Sequence, residues 1–295
     1  MMPGLSDLHR HLDGSLRPDT LVELARDAGV TVPADLCFVP GMGLQEALSR
    51  FAFMLNLLQQ PDTVCRVAAE MCEDAKAEGV TTLEIRFAPH LHRGADISTV
   101  VDAALVGING RAGLILCALY GDPPDLVEAL VDAARPGVVG LDLAGGPHPT
   151  HRHGMHDYAP AFQRAARCGL GRTVHAGEGR PAQEIHDAIA LLGAQRIGHG
   201  STVLDNAEVV KLVVDRQITI EACPTSNWHT GVISRVEDHP IDAWLRAGIP
   251  VCLNADNTLL SSTSSLLEHQ KMAGKLSNAS LEQVIANGHS AAFRR

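Results

Sequence analysis

His9 and His11 stand one residue apart in the run Ser6-Asp7-Leu8-His9-Arg10-His11-Leu12-Asp13-Gly14. Strand side chains repeat every two residues, so on an extended strand both imidazoles face the same way. That geometry would let them share one metal ion, although a surface strand also carries such a pair by chance. Further polar groups shift the weight between these readings. His175-Ala176-Gly177-Glu178, His199 and Asn254-Ala255-Asp256-Asn257 each fall where an apolar stretch gives way to a polar or glycine-rich end. Taken singly, a buried histidine is more often bonded to a backbone carbonyl, and an aspartate ahead of a helix often only caps it. His9, His11, His175 and Asp256 gathered on strands of one sheet would instead form a nitrogen and oxygen donor set. Such a set suits Zn²⁺ with a position left for water.

These groups need a scaffold that brings distant strand ends together. Short apolar stretches predict eight strands: 4–9, 81–86, 113–118, 138–143, 172–175, 196–198, 219–223 and 250–254. Amphipathic patterns predict helices between them at 18–28, 63–78, 125–134, 160–168, 182–192 and 206–215. Pro18 opens its helix where a missing amide hydrogen costs little, and Gly29 follows the end. Eight βα units imply one α/β domain over residues 1–295, a (β/α)8 barrel whose chemistry sits at the C-terminal strand ends. A doubly wound open sheet also fits the alternation, but no Gly-x-Gly-x-x-Gly follows the first strand. Between the first two strands, Leu44, Leu48, Phe51, Leu55 and Leu58 fall at helical spacing. They read either as an ordinary packing face or as an apolar lid over the barrel mouth.

Composition narrows the possibilities. With 34 acidic against 24 basic residues the formal charge is −10, which argues against nucleic-acid binding through a basic surface. The seven cysteines are widely spread and several sit in apolar runs, as small hydrophobes of a reducing compartment do. No charged leader or membrane-length apolar run occurs, so the expectation is a cytoplasmic protein without a membrane partner. The four lysines, at 76, 211, 271 and 275, do not close any predicted strand. That disfavours a lysine-bridged pair of metals and favours a single ion. The absence of Pro-Cys-x-x-Cys excludes the cysteine-ligated zinc deaminases.

Six runs make a resemblance specific: Leu8–Leu16, Asp142-Leu143-Ala144-Gly145, His175–Glu178, Arg196-Ile197-Gly198-His199-Gly200, Cys223-Pro224-Thr225-Ser226-Asn227 and Asn254–Asn257. In this order they resemble the adenosine deaminase family of the amidohydrolase superfamily across nearly the whole chain. Glu84–His90 resembles that family's second strand. The resemblance implies one Zn²⁺ per chain held by His9, His11, His175 and Asp256. It implies that Glu178 donates a proton to purine nitrogen 1, that His199 stabilises charge at carbon 6, and that Asp256 orients the attacking hydroxide. A donating Glu178 needs a pKa raised by burial. By the same resemblance, Asp13 accepts from the ribose 5′-hydroxyl and would repel a 5′-phosphate. Gly145 lies near purine nitrogen 3, Leu48 and Phe51 form the apolar ribose-side wall, and His11 borders the substrate. The implied substrate is adenosine or 2′-deoxyadenosine. Alternatives are another 6-aminopurine, such as a 5′-modified adenosine or free adenine, and a catalytically silent nucleoside-binding relative. Oligomeric state is left open.

The chain departs from the family in three places. Asn257 stands where many relatives have a second aspartate facing purine nitrogen 7, and its amide donates without needing protonation. Gly146 replaces a commonly polar residue and loosens its loop. The chain also ends early for the family, which implies shortened terminal helices. The segment from Pro147 to His156 carries four histidines, and it reads as a solvated loop, a second metal site or a substrate contact.

Overall fold

Eight short stretches dominated by Val, Ile, Leu and Ala become parallel strands in the computed structural model, which describes residues 4–293. They are β1 (Leu5–His11), β2 (Val80–Phe87), β3 (Gly113–Leu119), β4 (Val138–Ala144), β5 (Gly171–Ala176), β6 (Arg196–His199), β7 (Thr219–Ala222) and β8 (Val251–Leu253). Each pairs with its sequence neighbour in the order β1 to β8. The seam between β8 and β1 is closed by a parallel bridge between Arg10 and Asp256. There His11 N donates to the Asp256 carbonyl at 2.8 Å, and Asp256 N donates to the His9 carbonyl at 2.8 Å. The Asn254 side chain completes the seam by accepting from Leu8 N at 2.8 Å. The result is a (β/α)8 barrel, as the alternation predicts.

The helices are α1 (Pro18–Asp27), α2 (Leu44–Leu57), α3 (Pro61–Ala77), α4 (Ile97–Ile108), α5 (Pro124–Asp132) and α6 (Met155–Arg167). They continue with α7 (Gln183–Leu192), α8 (Ala207–Asp215), α9 (Pro224–His229), α10 (Ile241–Arg246), α11 (Ser265–Ala273) and α12 (Asn278–Ala291). The periodicity does not predict α4, because so many of its residues are apolar that no single stripe stands out. Val100, Val101, Ala104 and Ile108 are buried, and Asp96 caps the helix by accepting from Thr99 N at 2.9 Å. Helix α6 starts at Met155 and not at Pro160, which lies inside it. Asp157 fixes that earlier start by accepting from Gly154 N at 3.0 Å. Among the described residues no helix is long and apolar enough to cross a membrane.

Strand β1 is not regular. Its register against β2 shifts between Asp7 and Arg10. Arg10 points away from the barrel mouth and is buried against Asp7, Glu78 and Ser265, at 2.8, 2.9 and 2.7 Å. A buried guanidinium needs such partners. By filling this outer pocket Arg10 fixes which face of the strand His9 and His11 present.

Candidate active site

The closing seam also gathers the donors. His9 and His11 at the end of β1, His175 in β5 and Asp256 just after β8 meet at the C-terminal mouth of the barrel. His11 Nε2 lies 3.3 Å from His9 Nε2 and 3.2 Å from His175 Nε2. Asp256 Oδ1 lies 3.6 Å from His9 Nε2 and 3.5 Å from His11 Nε2. Donors bound tetrahedrally at about 2.0–2.1 Å are separated from one another by roughly 3.3–3.4 Å. The observed spacing fits that set. Asp256 has a backbone φ of 61°, a left-handed conformation uncommon for a residue with a side chain. Held by the seam on both sides, this turn carries its carboxylate into the mouth.

Buried carboxylates dictate which imidazole nitrogens are bare. His9 Nδ1 lies 2.8 Å from Glu221 Oε2, and His175 Nδ1 lies 3.2 Å from the Asp142 carboxylate. A carboxylate only accepts here, so each Nδ1 carries its proton and each Nε2 presents a lone pair. Arg86 ties the two carboxylates together, with Nη1 at 3.0 Å from Asp142 and Nη2 at 2.8 Å from Glu221. Arg196 adds a second cation 2.7 Å from Glu221 Oε1. Burial, followed by the Arg86 charge and the neighbouring imidazoles, pushes His9 well below the usual histidine pKa. His11 moves the same way, chiefly through burial. For His175 burial also pushes down, but Asp142 outweighs it and leaves the pKa raised. Asp142, opposed by burial, is held well below the usual carboxylate range by His175 and Arg86. Burial raises Asp256. Imidazole nitrogens and a carboxylate oxygen converging at 3.2–3.6 Å suit a cation between them.

Glu178 and His199 lie beside this cluster. Glu178 is buried, accepts from the Thr230 hydroxyl at 3.2 Å, and has its pKa raised by burial. His199 Nε2 lies 3.8 Å from Glu178 Oε2. Its Nδ1 lies 3.1 Å from the Asn227 amide nitrogen, which donates, so the His199 proton sits on Nε2. The Asn227 carbonyl in turn faces His239 Nε2 at 3.2 Å. Burial pushes His199 down to about 3, keeping it neutral. Like Asp256, His199 adopts a positive φ, 65°. Two strained residues beside one cavity are typical of a working site.

A cavity of about 470 Å³ opens over these groups, within the range of small-molecule sites. Its walls include His11, Asp13, Gly145, His175, Glu178, His199, Asp256 and Asn257. Leu44, Leu48, Phe51 and Leu55 of α2 form one side, so this helix does cover the mouth. Its inner side packs into the core through Met54 and Leu57. Thus both readings of the insertion hold, each on its own side of the helix. His9 is the one predicted site residue that lies below the cavity wall. The Asn257 amide donates to Asp256 Oδ1 at 2.7 Å and so is already engaged. Its Oδ1 fills the space where a Cβ on Gly14 would lie, 2.0 Å away, which accounts for a glycine after Asp13. His148 and His151 reach the cavity rim from an exposed loop.

The sequence reading assigns no role to Glu221, Asp142, Arg86, Asn227 or His92. For Glu221, Asp142 and Arg86 the available signal is a charge inside a predicted barrel strand, which requires a partner; Asn227 in α9 and His92 after β2 carry no such signal.

An eight-stranded parallel barrel with imidazoles and carboxylates at its C-terminal strand ends defines a hydrolase of amidohydrolase architecture. The family model for adenosine deaminase matches residues 4–294. Adenosine deaminase of Shewanella halifaxensis is 36% identical over 291 residues, 91% of this chain and 87% of the relative. Adenosine deaminase of Clostridium botulinum strain Hall is 35% identical over 298 residues, 94% and 88% of the two chains. Among solved structures, adenine deaminase from Arthrobacter aurescens superposes with a TM-score of 0.88 at 25% identity, covering 99% of this chain and 94% of that one. An N6-mAMP deaminase of Arabidopsis gives a TM-score of 0.86 at 27% identity, covering 99% and 94%. The chain belongs to the adenosine deaminase family, and its chemistry is hydrolytic deamination.

Proposed function

We propose that residues 1–295 act as one catalytic domain that converts adenosine or 2′-deoxyadenosine and water to the corresponding inosine and ammonia. The observation that carries this reading is Glu178, buried with its pKa raised by that burial, 3.8 Å from His199 and facing the same cavity as Asp13 and Asp256. His9, His11, His175 and Asp256 would hold one zinc ion. When bound, zinc lowers the pKa of coordinated water toward neutrality and supplies hydroxide at ordinary pH.

The chain's own groups do the rest. Glu178 gives its proton to ring nitrogen 1, which makes carbon 6 electrophilic and open to attack. His199 presents the proton on Nε2 to the oxygen arriving at carbon 6. Asp256 accepts from the attacking group and fixes its direction. Asp13 takes a hydrogen bond from the sugar hydroxyl while α2 keeps bulk water out. Asp256 then passes the hydroxyl proton at carbon 6 to the amino group, the bond from carbon 6 to that group breaks to release ammonia, and carbon 6 is left as a carbonyl beside the protonated nitrogen 1.

Ammonia release and the ultraviolet change, measured over a panel of 6-aminopurine nucleosides and bases, test the reading. Adenosine and 2′-deoxyadenosine should be the best substrates. Turnover of free adenine or a 5′-modified adenosine, with none of adenosine, would replace the substrate assignment. Binding of nucleosides with no ammonia from any 6-aminopurine would make the protein a silent binder.

A further inference from the structure

His92 follows the short helical turn Pro89–Leu91 after β2 and is buried. Both of its ring nitrogens face acceptors. Nε2 lies 3.0 Å from Asp13 Oδ1, and Nδ1 lies 2.6 Å from the carbonyl of Leu58. A neutral imidazole has one N–H and would satisfy only one of them, whereas an imidazolium satisfies both. Burial opposes that charge, but the adjacent Asp13 carboxylate outweighs it and leaves the His92 pKa raised. The Phe87 ring packs edge-on, its centroid 5.3 Å away.

Leu58 is the residue that ends α2, the helix over the cavity. The same joint is stitched again by Gln59. Its amide donates to the carbonyls of Leu55 at 2.7 Å and Leu91 at 3.0 Å, and its carbonyl accepts from Arg93 N at 2.7 Å. One imidazole therefore joins a carboxylate of the cavity wall to the end of the helix that covers it.

We propose that His92 is a positioning residue: it holds Asp13 by Oδ1, so that Oδ2 is left for the sugar hydroxyl, and fastens that carboxylate to the end of α2. This rests on the reading of Asp13 as the sugar-side group. Bonded to the imidazole, the buried carboxylate is held in one orientation. Without that partner it is free to turn away from the sugar hydroxyl and would accept poorly. His92 does not line the cavity, so its effect belongs to sugar binding through Asp13 and not to the chemical step.

The test compares adenosine with 5′-deoxyadenosine, which lacks the hydroxyl, in the zinc-loaded native enzyme and its His92→Leu, His92→Gln, His92→Asn and Asp13→Asn variants. Removing a hydrogen bond to a charged group should raise the His92→Leu KM for adenosine about 10- to 100-fold, with kcat and the KM for 5′-deoxyadenosine within about threefold of native. His92→Gln, whose amide nitrogen carries two protons for the same two acceptors, should recover most of the loss; the shorter His92→Asn should not. If His92→Leu does not fold, the contrast between Gln and Asn decides. Equal KM changes for both substrates, or no change for adenosine, would overturn the proposal while Asp13→Asn still discriminates the substrates. A silent Asp13→Asn would overturn the reading of Asp13 itself, and this proposal with it.

Discussion

Glu221→Gln keeps the size of a side chain while removing its charge, at a position where three hydrogen-bond donors and a second guanidinium converge. His9 Nδ1 and Arg86 Nη2 each lie 2.8 Å from Oε2; Thr173 Oγ1 at 3.0 Å and Arg196 Nε at 2.7 Å surround Oε1. An amide has one accepting end, so its NH2 must face donors whichever way it turns. Facing Thr173 is the milder choice, since a hydroxyl can rotate to accept, but Arg196 then loses its counter-charge on that side. Breaking a fully buried ion pair by removing one partner costs about 3–5 kcal/mol. For a domain of this size that corresponds to a fall in Tm of roughly 5–8 °C. A weaker hold on His9 should separately reduce zinc affinity by about 10- to 100-fold. Scanning calorimetry on zinc-stripped protein reads the first effect, and titration against a chromophoric chelator reads the second. If stability falls while zinc affinity stays native, Glu221 is a counter-ion for the arginines only. The account of how His9 is oriented would then be wrong.

Other perturbations separate the remaining roles. Glu178→Gln should lower kcat by about 10²- to 10⁴-fold while zinc content, measured by elemental analysis, stays at one per chain. In the native enzyme, kcat should fall as pH rises through the raised Glu178 pKa, because the proton it donates is then lost. The sign for stability is the same: a carboxyl whose folded pKa is raised contributes fully below its unfolded pKa and loses that contribution as pH rises through the folded one. Glu178→Gln should therefore resist urea better than native above that window and not below it; equal stability at every pH would refute the buried-carboxyl argument. His175→Ala should abolish both zinc retention and turnover, and full zinc by elemental analysis would remove His175 from the donor set. Phe51→Ala opens the α2 wall and loses about 1–2 kcal/mol of apolar contact with substrate, a rise in KM of roughly 5- to 30-fold. A change confined to kcat would show that α2 acts otherwise than as a wall.

The parts of this molecule that could be read from sequence are those that local rules decide. Period-two alternation places His9 and His11 on one face, and the recurrence of strand and helix patterns gives a barrel with polar strand ends. What escaped depends on register between strands far apart in the chain. Glu221 and His9 are 212 residues apart, and nothing in Thr219-Ile220-Glu221-Ala222 says which histidine its carboxylate meets. Yet an acid in a four-residue strand of otherwise uncharged residues already implies a buried partner, and Arg86 and Arg196 carry the same message in β2 and β6. Asn257 shows the opposite limit. Its residue type suggests a donor for substrate, but in the fold its amide is bonded to Asp256, the residue immediately before it. Side-chain type therefore sets what a group can donate or accept, and barrel register decides to whom. The convergence of His9, His11, His175 and Asp256 was legible because they lie at strand ends, whereas the carboxylates and arginines behind them lie one layer below, where only the closed barrel brings them together.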